Sequence, residues 1–192
     1  LRPALGERRN FSGERASRLS DGVMRVAIVG DPDEHSLSPV MQNAAFESAG
    51  LKWEMIRVRV PAGGGVNAID RVRAGEFAGL AVTMPLKEEA ARSVDDLDVA
   101  STRLRSVNTV VGISSGQARG LSTDGAGFIN SLAAQGIALS GARVHLLGAG
   151  GAARSIVAAL GAIDGCEVTI SNRTHSAAEA AAELSSGAQA VV

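Results

Sequence analysis

Tyrosine is missing altogether from this 192-residue sequence, and cysteine and tryptophan occur once each. Without tyrosine, reductase chemistry that uses a Tyr–Lys pair as proton donor is excluded for this stretch. The single cysteine, Cys166, rules out an intramolecular disulfide and makes a reducing cytoplasm the expected setting. It stands beside Glu167 in an expected strand, which suits packing rather than a reactive thiol. Three scattered histidines with no second cysteine give no zinc pattern, so no metal is expected. No apolar run approaches the ~20 residues of a membrane span. A formal net charge of −1 leaves no electrostatic footprint for a nucleic acid or polyanion. What remains is a chain that is 45% hydrophobic and long enough for one large or two small globular domains.

Residues 1–23 differ from the rest. Arg2, Arg8, Arg9, Arg15 and Arg18 are scattered among Ser and Gly, and the segment lacks the roughly 7–15-residue apolar core of a secretory signal. Glu7, Glu14 and Asp21 argue against a transit peptide, so a disordered extension is expected. Met24 stands directly before the first strand, at a position suited to a natural start.

The most telling stretch is 143–174. Arg143-Val144-His145-Leu146-Leu147 reads as a strand, and Gly148-Ala149-Gly150-Gly151-Ala152 as a turn. An alanine-rich helix and a second strand, Glu167-Val168-Thr169-Ile170, complete a βαβ unit. Gly148, Gly150 and Ala153 occupy the three small positions of the dinucleotide fingerprint. They allow a tight turn, close approach of backbone to a pyrophosphate, and close helix–strand packing. The amides that open the helix then face the phosphates, and its dipole favours their charge. An NAD site wants an acid roughly 20 residues further on, for the ribose hydroxyl. Here Asn172-Arg173-Thr174 stands at the end of the second strand. A planar guanidinium suits a 2′-phosphate, so NADP is the expected cofactor.

Upstream, an apolar strand over 24–30 leads to Ser36-Leu37-Ser38-Pro39 and a helix. Ser38 can cap that helix, with Pro39 in its first turn. Two hydroxyls at a helix start can also hold a small carboxylate. Strands are expected over 53–60 and 80–83, and a short helix over 66–74. Pro85 suits the first turn of a further helix running to about Ser93, but Lys87 does not. A cation there opposes the dipole by about 0.3–1 kcal/mol unless a carboxylate compensates. A solvated lysine that tolerates its place beside Glu88 and Glu89 is the plainer reading.

An acidic turn at 95–98 precedes an expected hairpin over 105–121. Asn108 can satisfy backbone there. Asp124 opens an amphipathic helix closed by Gly136, where an acid is at home for structural reasons alone.

Six motifs in succession give the chain a likeness: His35-Ser36-Leu37-Ser38-Pro39, Thr83-Met84-Pro85-Leu86-Lys87, Val107-Asn108-Thr109, Thr123-Asp124-Gly125, Gly148-Ala149-Gly150-Gly151-Ala152 and Asn172-Arg173-Thr174. From Met24 onward the sequence resembles the shikimate dehydrogenase family, including its quinate-using relatives. The resemblance implies an α/β fold: a three-layer α/β substrate domain over 24–123, then a linker helix and the first half of a Rossmann-like NADP domain over 124–192. It implies NADPH-dependent, reversible reduction of 3-dehydroshikimate to shikimate in aromatic amino acid biosynthesis. The alternatives are a quinate/shikimate-type paralogue with another substrate and a non-catalytic ligand-binding paralogue or fragment. By the same resemblance Ser36 and Ser38 hold the substrate carboxylate, while Thr83, Asn108 and Asp124 hold ring hydroxyls. Lys87 is the catalytic lysine, set by Asp124. Gly148, Ala149, Gly150, Gly151, Ala152, Asn172, Arg173 and Thr174 hold the cofactor. Partners are small molecules, with no nucleic acid and no membrane, and monomer and homodimer are both open.

The sequence departs from the family pattern in places. Ala81 stands where the family usually has Asn, Leu121-Ser122 where it has Asp-Asn, and Ala177 where a second basic residue often follows the Arg. The family also continues beyond the position of Val192, with Tyr and Gln residues near substrate and nicotinamide. Residues 24–192 are therefore expected to form an incomplete fold, with the first Rossmann strand as an open edge and apolar surface exposed beside it.

Overall fold

The computed structural model describes residues 22–32, 35–113 and 116–191. The expected N-terminal extension lies, up to residue 21, outside the described residues, as does Val192.

The elements run β1 (Met24–Gly30), α1 (Ser38–Ser48), β2 (Trp53–Arg59), α2 (Gly65–Arg73), β3 (Gly79–Val82), α3 (Lys87–Ser93), β4 (Asp96–Leu97), α4 (Val99–Leu104), β5 (Thr109–Ile113), β6 (Gln117–Leu121) and α5 (Asp124–Ala134). They continue with β7 (Arg143–Leu147), α6 (Gly151–Leu160), β8 (Glu167–Ser171), α7 (His175–Ala182) and β9 (Ala188–Ala190). The described residues thus form a mixed α/β fold with two sheets. The first has six strands in the order β2-β1-β3-β5-β6-β4. Its β2, β1 and β3 are parallel, while β5 runs antiparallel to both β3 and β6. The second sheet, β7-β8-β9, is parallel throughout.

Apolar sequence runs place the core. All of β1 from Val26 to Gly30 is buried, as expected of a strand covered on both faces. Ala27, Val29, Leu80, Val82 and Val110 of the sheet meet Ala68, Ile69 and Val72 of α2 and Ala90 and Ala91 of α3. In the second body Val168 and Ile170 pack with Val157 and Leu160 of α6 and Ala178 and Ala181 of α7. Small alanines on these helices let them lie close to the strands. Cys166 is buried here, and burial pushes its thiol up, as fits a packing residue. The edge strand β2 is shielded: Asn43 of α1 bonds the Met55 amide and carbonyl at 2.7 and 3.1 Å.

Three local expectations need correction. Thr83 to Leu86 is a turn closed by the Leu86 amide on the Thr83 carbonyl at 2.9 Å, so α3 begins at Lys87 and Pro85 lies before it. Ser38 does not cap α1; instead its amide donates to Ser36 Oγ at 3.3 Å, with Pro39 in the first turn. The acidic stretch is more than a turn. Asp96 and Leu97 add a short strand beside β6, and Asp98 caps α4 by accepting from the Ser101 amide at 2.7 Å.

Candidate functional site

Four chain segments converge at one end of the first sheet. β1 and β3 point the same way, so Gly30 and Thr83 lie together; a side chain on Gly30 would collide with Thr83 Cγ2. Because β5 is reversed, Asn108 enters it at this same end, and β6 leaves here toward Thr123 and Asp124. A crevice beyond the carboxyl ends of parallel strands is where open α/β sheets take ligands.

Within the crevice the side chains form a connected set. Lys87 Nζ donates to Asp124 Oδ2 at 2.6 Å, with one-fifth to one-quarter of each side chain exposed. Asn108 Nδ2 donates to Asp124 Oδ1 and to Thr123 Oγ1, and Asn108 Oδ1 accepts from the Thr123 amide. The backbone locks this arrangement: the Val107 amide donates to the Lys87 carbonyl at 3.0 Å, and the Val82 amide to the Asn108 carbonyl at 2.7 Å. The misfit of a cation at a helix start is resolved by Asp124, which supplies the opposing charge. Thr83 borders the set at the end of β3. Ser36 and Ser38 follow β1 and are bonded to each other, with Arg57 donating to the Ser36 carbonyl. Among the described residues they make no hydrogen bond to Thr83, Lys87, Asn108 or Asp124.

The glycine turn approaches the same crevice from the second sheet. Gly148 has φ +106° and its amide donates to the Ser171 carbonyl at 2.7 Å, so the tight turn requires it. A side chain on Gly150 would meet nothing within 4 Å, so the chain itself gives no reason for glycine there. Space left open at the start of α6 fits the close approach of a phosphate. Gly151 is different. A side chain on it would come within 3.1 Å of Ser106 Oγ and 3.3 Å of Lys87 Cδ, which puts the turn against the lysine. Asn172 Oδ1 accepts from the Ala149 amide at 3.3 Å and Nδ2 donates to the Thr174 carbonyl, bracing the turn against the end of β8. Ala152 sits exposed in the first turn of α6. Arg173 is exposed and makes no ion pair among the described residues. These groups fit a dinucleotide with a 2′-phosphate at Arg173.

The family model of the shikimate dehydrogenase substrate binding domain matches residues 28–110. Over that stretch the chain resembles the shikimate dehydrogenase family. It is 40% identical over 175 residues to the NADP(+) shikimate dehydrogenase of Gluconobacter oxydans, a match that covers 90% of this chain and 61% of that one. The shikimate 5-dehydrogenase of Thermus thermophilus, solved in complex with NADP(H) and shikimate, superposes with a TM-score of 0.80 at 39% identity. That match covers 88% of this chain and 63% of the Thermus one. The ligand-free 5-ketofructose reductase of Gluconobacter sp. strain CHM43 superposes at 0.76 with 31% identity, covering 88% and 63%. This chain therefore spans less than two thirds of each relative.

Two residues that the sequence reading passed over join the site. Ser106, 2% exposed, packs against Gly151. Arg154, in the first turn of α6, reaches Glu88 Oε1 at 3.3 Å. The signal for Arg154 was present in sequence, since it repeats the misfit of Lys87, a cation at a helix start.

Proposed function

We propose that this protein reduces the ring ketone of 3-dehydroshikimate, reversibly, as an NADP-dependent shikimate dehydrogenase. The observation that carries the proposal is the Lys87–Asp124 pair at 2.6 Å directly beside Gly151. In this reading residues 24–123 serve the substrate and 124–192 the nucleotide. Ser36 and Ser38 hold the carboxylate, and Thr83, Asn108 and Asp124 hold ring hydroxyls. Gly148 to Ala152 with Asn172, Arg173 and Thr174 hold NADPH, which supplies the hydride when bound. Lys87 delivers a proton to the developing alkoxide, and Asp124 orients its ammonium and offsets its charge. The buried, unpaired Cys166 accords with a reducing cytoplasm.

A second reading is a reductase for another polyhydroxylated ketone. It is favoured by Ala81 and Ser122, which remove amides the family usually carries, and by the likeness to a 5-ketofructose reductase. The test follows NADPH absorbance on adding 3-dehydroshikimate, 3-dehydroquinate or 5-ketofructose to the natural full-length protein. Fastest oxidation with 3-dehydroshikimate is expected. Preference for either other ketone supports the second reading, and no oxidation with any of them leaves a ligand-binding protein.

A further inference from the structure

The starts of α3 and α6 face one another across the seam between the two sheets, and each carries a cation. Lys87 opens α3 and Arg154 lies in the first turn of α6. Two helix N-termini and two basic side chains brought together repel one another. The seam holds two carboxylates against them. Asp124 takes Lys87 at 2.6 Å, and Glu88, the residue next to Lys87, takes Arg154 Nη1 at 3.3 Å. Only one-fifth of the Arg154 side chain is exposed, and its Nε is buried with no partner among the described residues. The Glu88 side chain is 57% exposed, so its charge is partly screened, yet it is the one carboxylate paired with this guanidinium among the described residues. The two contacts sit about one turn apart on α6, since Gly151 meets Lys87 and Arg154 meets Glu88. Together they fix both the approach and the rotation of α6 relative to α3.

We propose that Glu88 and Arg154 form a clasp that holds the glycine turn at its working distance from Lys87. Both are positioning residues, acting through where they put α6. This rests on the reading of Lys87 as the proton donor, because a proton donor and a hydride donor must reach one carbonyl group together. Displacement of such groups by even ~1 Å can cost about 100-fold in rate.

The experiment compares Glu88→Gln, Arg154→Gln and the exchanged pair Glu88→Arg with Arg154→Glu in the natural full-length protein. Each single change is expected to lower kcat about 5- to 20-fold, with KM for 3-dehydroshikimate and Kd for NADPH within about 2-fold. The exchanged pair is expected to recover most of the lost kcat, which a merely structural role would not produce. Arg103→Met serves as control. It removes another bond across the seam, to the Leu184 carbonyl at 3.0 Å, and is expected to lower stability without that split. The clasp is overturned if Arg154→Gln weakens NADPH binding tenfold or more while Glu88→Gln does not, since Arg154 then serves the cofactor. It is equally overturned if neither single change moves kcat.

Hydrogen exchange at the amides of 86–90 and 151–155 keeps the two readings apart. Faster exchange at both helix starts in Glu88→Gln, in a protein that turns over none of the ketones, removes the proposed reaction and leaves the clasp standing. Unchanged exchange and kcat in an active enzyme remove the clasp alone.

Discussion

Lys87 and Asp124 stand 37 positions apart and meet at 2.6 Å because the β5–β6 hairpin folds back between them. The hairpin carries Asn108 to the same end of the sheet, where its side-chain nitrogen bonds the other oxygen of Asp124. Asp124 thus has one oxygen committed to an amide and one to an ammonium. Its orientation is fixed before any ligand arrives, which is what preorganised charge stabilisation requires.

That geometry makes Lys87→Ala the direct test of the chemistry. In the natural full-length protein kcat for 3-dehydroshikimate should fall about 10²–10⁴-fold with little change in KM, the pattern of a lost transition-state interaction. Asp124→Asn should lower kcat less and raise KM more, because Asp124 is proposed to hold both Lys87 and a ring hydroxyl. A Lys87→Ala protein that keeps most of its kcat would take Lys87 out of the reaction.

Cofactor choice is predicted to rest on Arg173. It is exposed at the end of β8, beside an Asn172 already engaged in bracing the glycine turn. Arg173→Ala should narrow the preference for NADPH over NADH by about 1.5–3 kcal/mol, the worth of a hydrogen bond to a charged group. Fluorescence titration with both nucleotides measures it. Equal weakening for the two would show that Arg173 does not read the 2′-phosphate.

Gly125 should tolerate no side chain. A Cβ there would collide with the Ser155 carbonyl oxygen and stand 2.9 Å from Ala159 Cβ, where α5 crosses α6. The Gly125 amide also donates to Ser155 Oγ at 2.9 Å, so the helices cannot part without losing that bond. Gly125→Ala is expected to cost about 1–3 kcal/mol, the range for overpacking, in denaturant unfolding. Wild-type stability in this variant would mean that the crossing is looser than described.

Asp95 provides a pH-dependent contribution to stability. Two bonds from Arg73, both 3.0 Å, and one from the Ala118 amide at 2.8 Å hold its carboxyl below the usual range, with Arg73 the larger cause. A carboxyl lowered in the folded state stabilises above its unfolded value and stops doing so as pH falls through the folded one. Asp95→Asn should therefore cost about 1 kcal/mol at pH 7, modest because the pair is partly exposed. The difference from wild type should shrink steadily below about pH 4. A gap that stayed constant down to pH 2 would assign the effect to packing instead of charge.

How much of this was legible beforehand follows from where the information sits. The βαβ unit could be read because strand, glycine turn and helix are contiguous, and each has a local pattern. The set of Lys87, Asn108 and Asp124 could be named only through likeness to a family. Their meeting depends on the reversal of β5, which no spacing along the chain reveals. The start of α3 was misplaced because Pro85 fits a first turn as well as it fits the loop before one. α4 and β4 were missed as too short for a period to emerge from six and two residues. Exposed apolar surface beside β7 was expected on the rule that parallel sheets are covered on both faces. The strand instead alternates, with Val144 and Leu146 packed inward and Arg143 and His145 outward. His145 is held by Thr169 Oγ1 at 2.7 Å and Ser171 Oγ at 3.2 Å, so that face is mostly polar. Leu147, 85% exposed, is the exception.

This alternation shapes what the open edge of β7 should do. Among the described residues β7 pairs only with β8, so half of its backbone groups point outward unpaired. The Gly148 amide and the Ala142 carbonyl both bond toward β8. In a parallel ladder alternate residues share a direction, so Val144 and Leu146 also face β8, while Arg143, His145 and Leu147 present their amides outward. Two copies of the 192-residue chain are therefore expected to associate edge to edge through β7, aided by Leu147, rather than through a greasy face. His145→Pro removes an outward backbone donor and spares the backbone ladder to β8, because proline is tolerated on an edge; it gives up only the imidazole bonds to Thr169 and Ser171. Leu147→Lys sets like charges against each other across the pairing. Sedimentation velocity over a range of concentrations should show self-association in the parent chain, and a shift toward monomer in each variant. A parent chain that stays monomeric at high concentration, or association that both variants leave untouched, would rule out β7 as the contact.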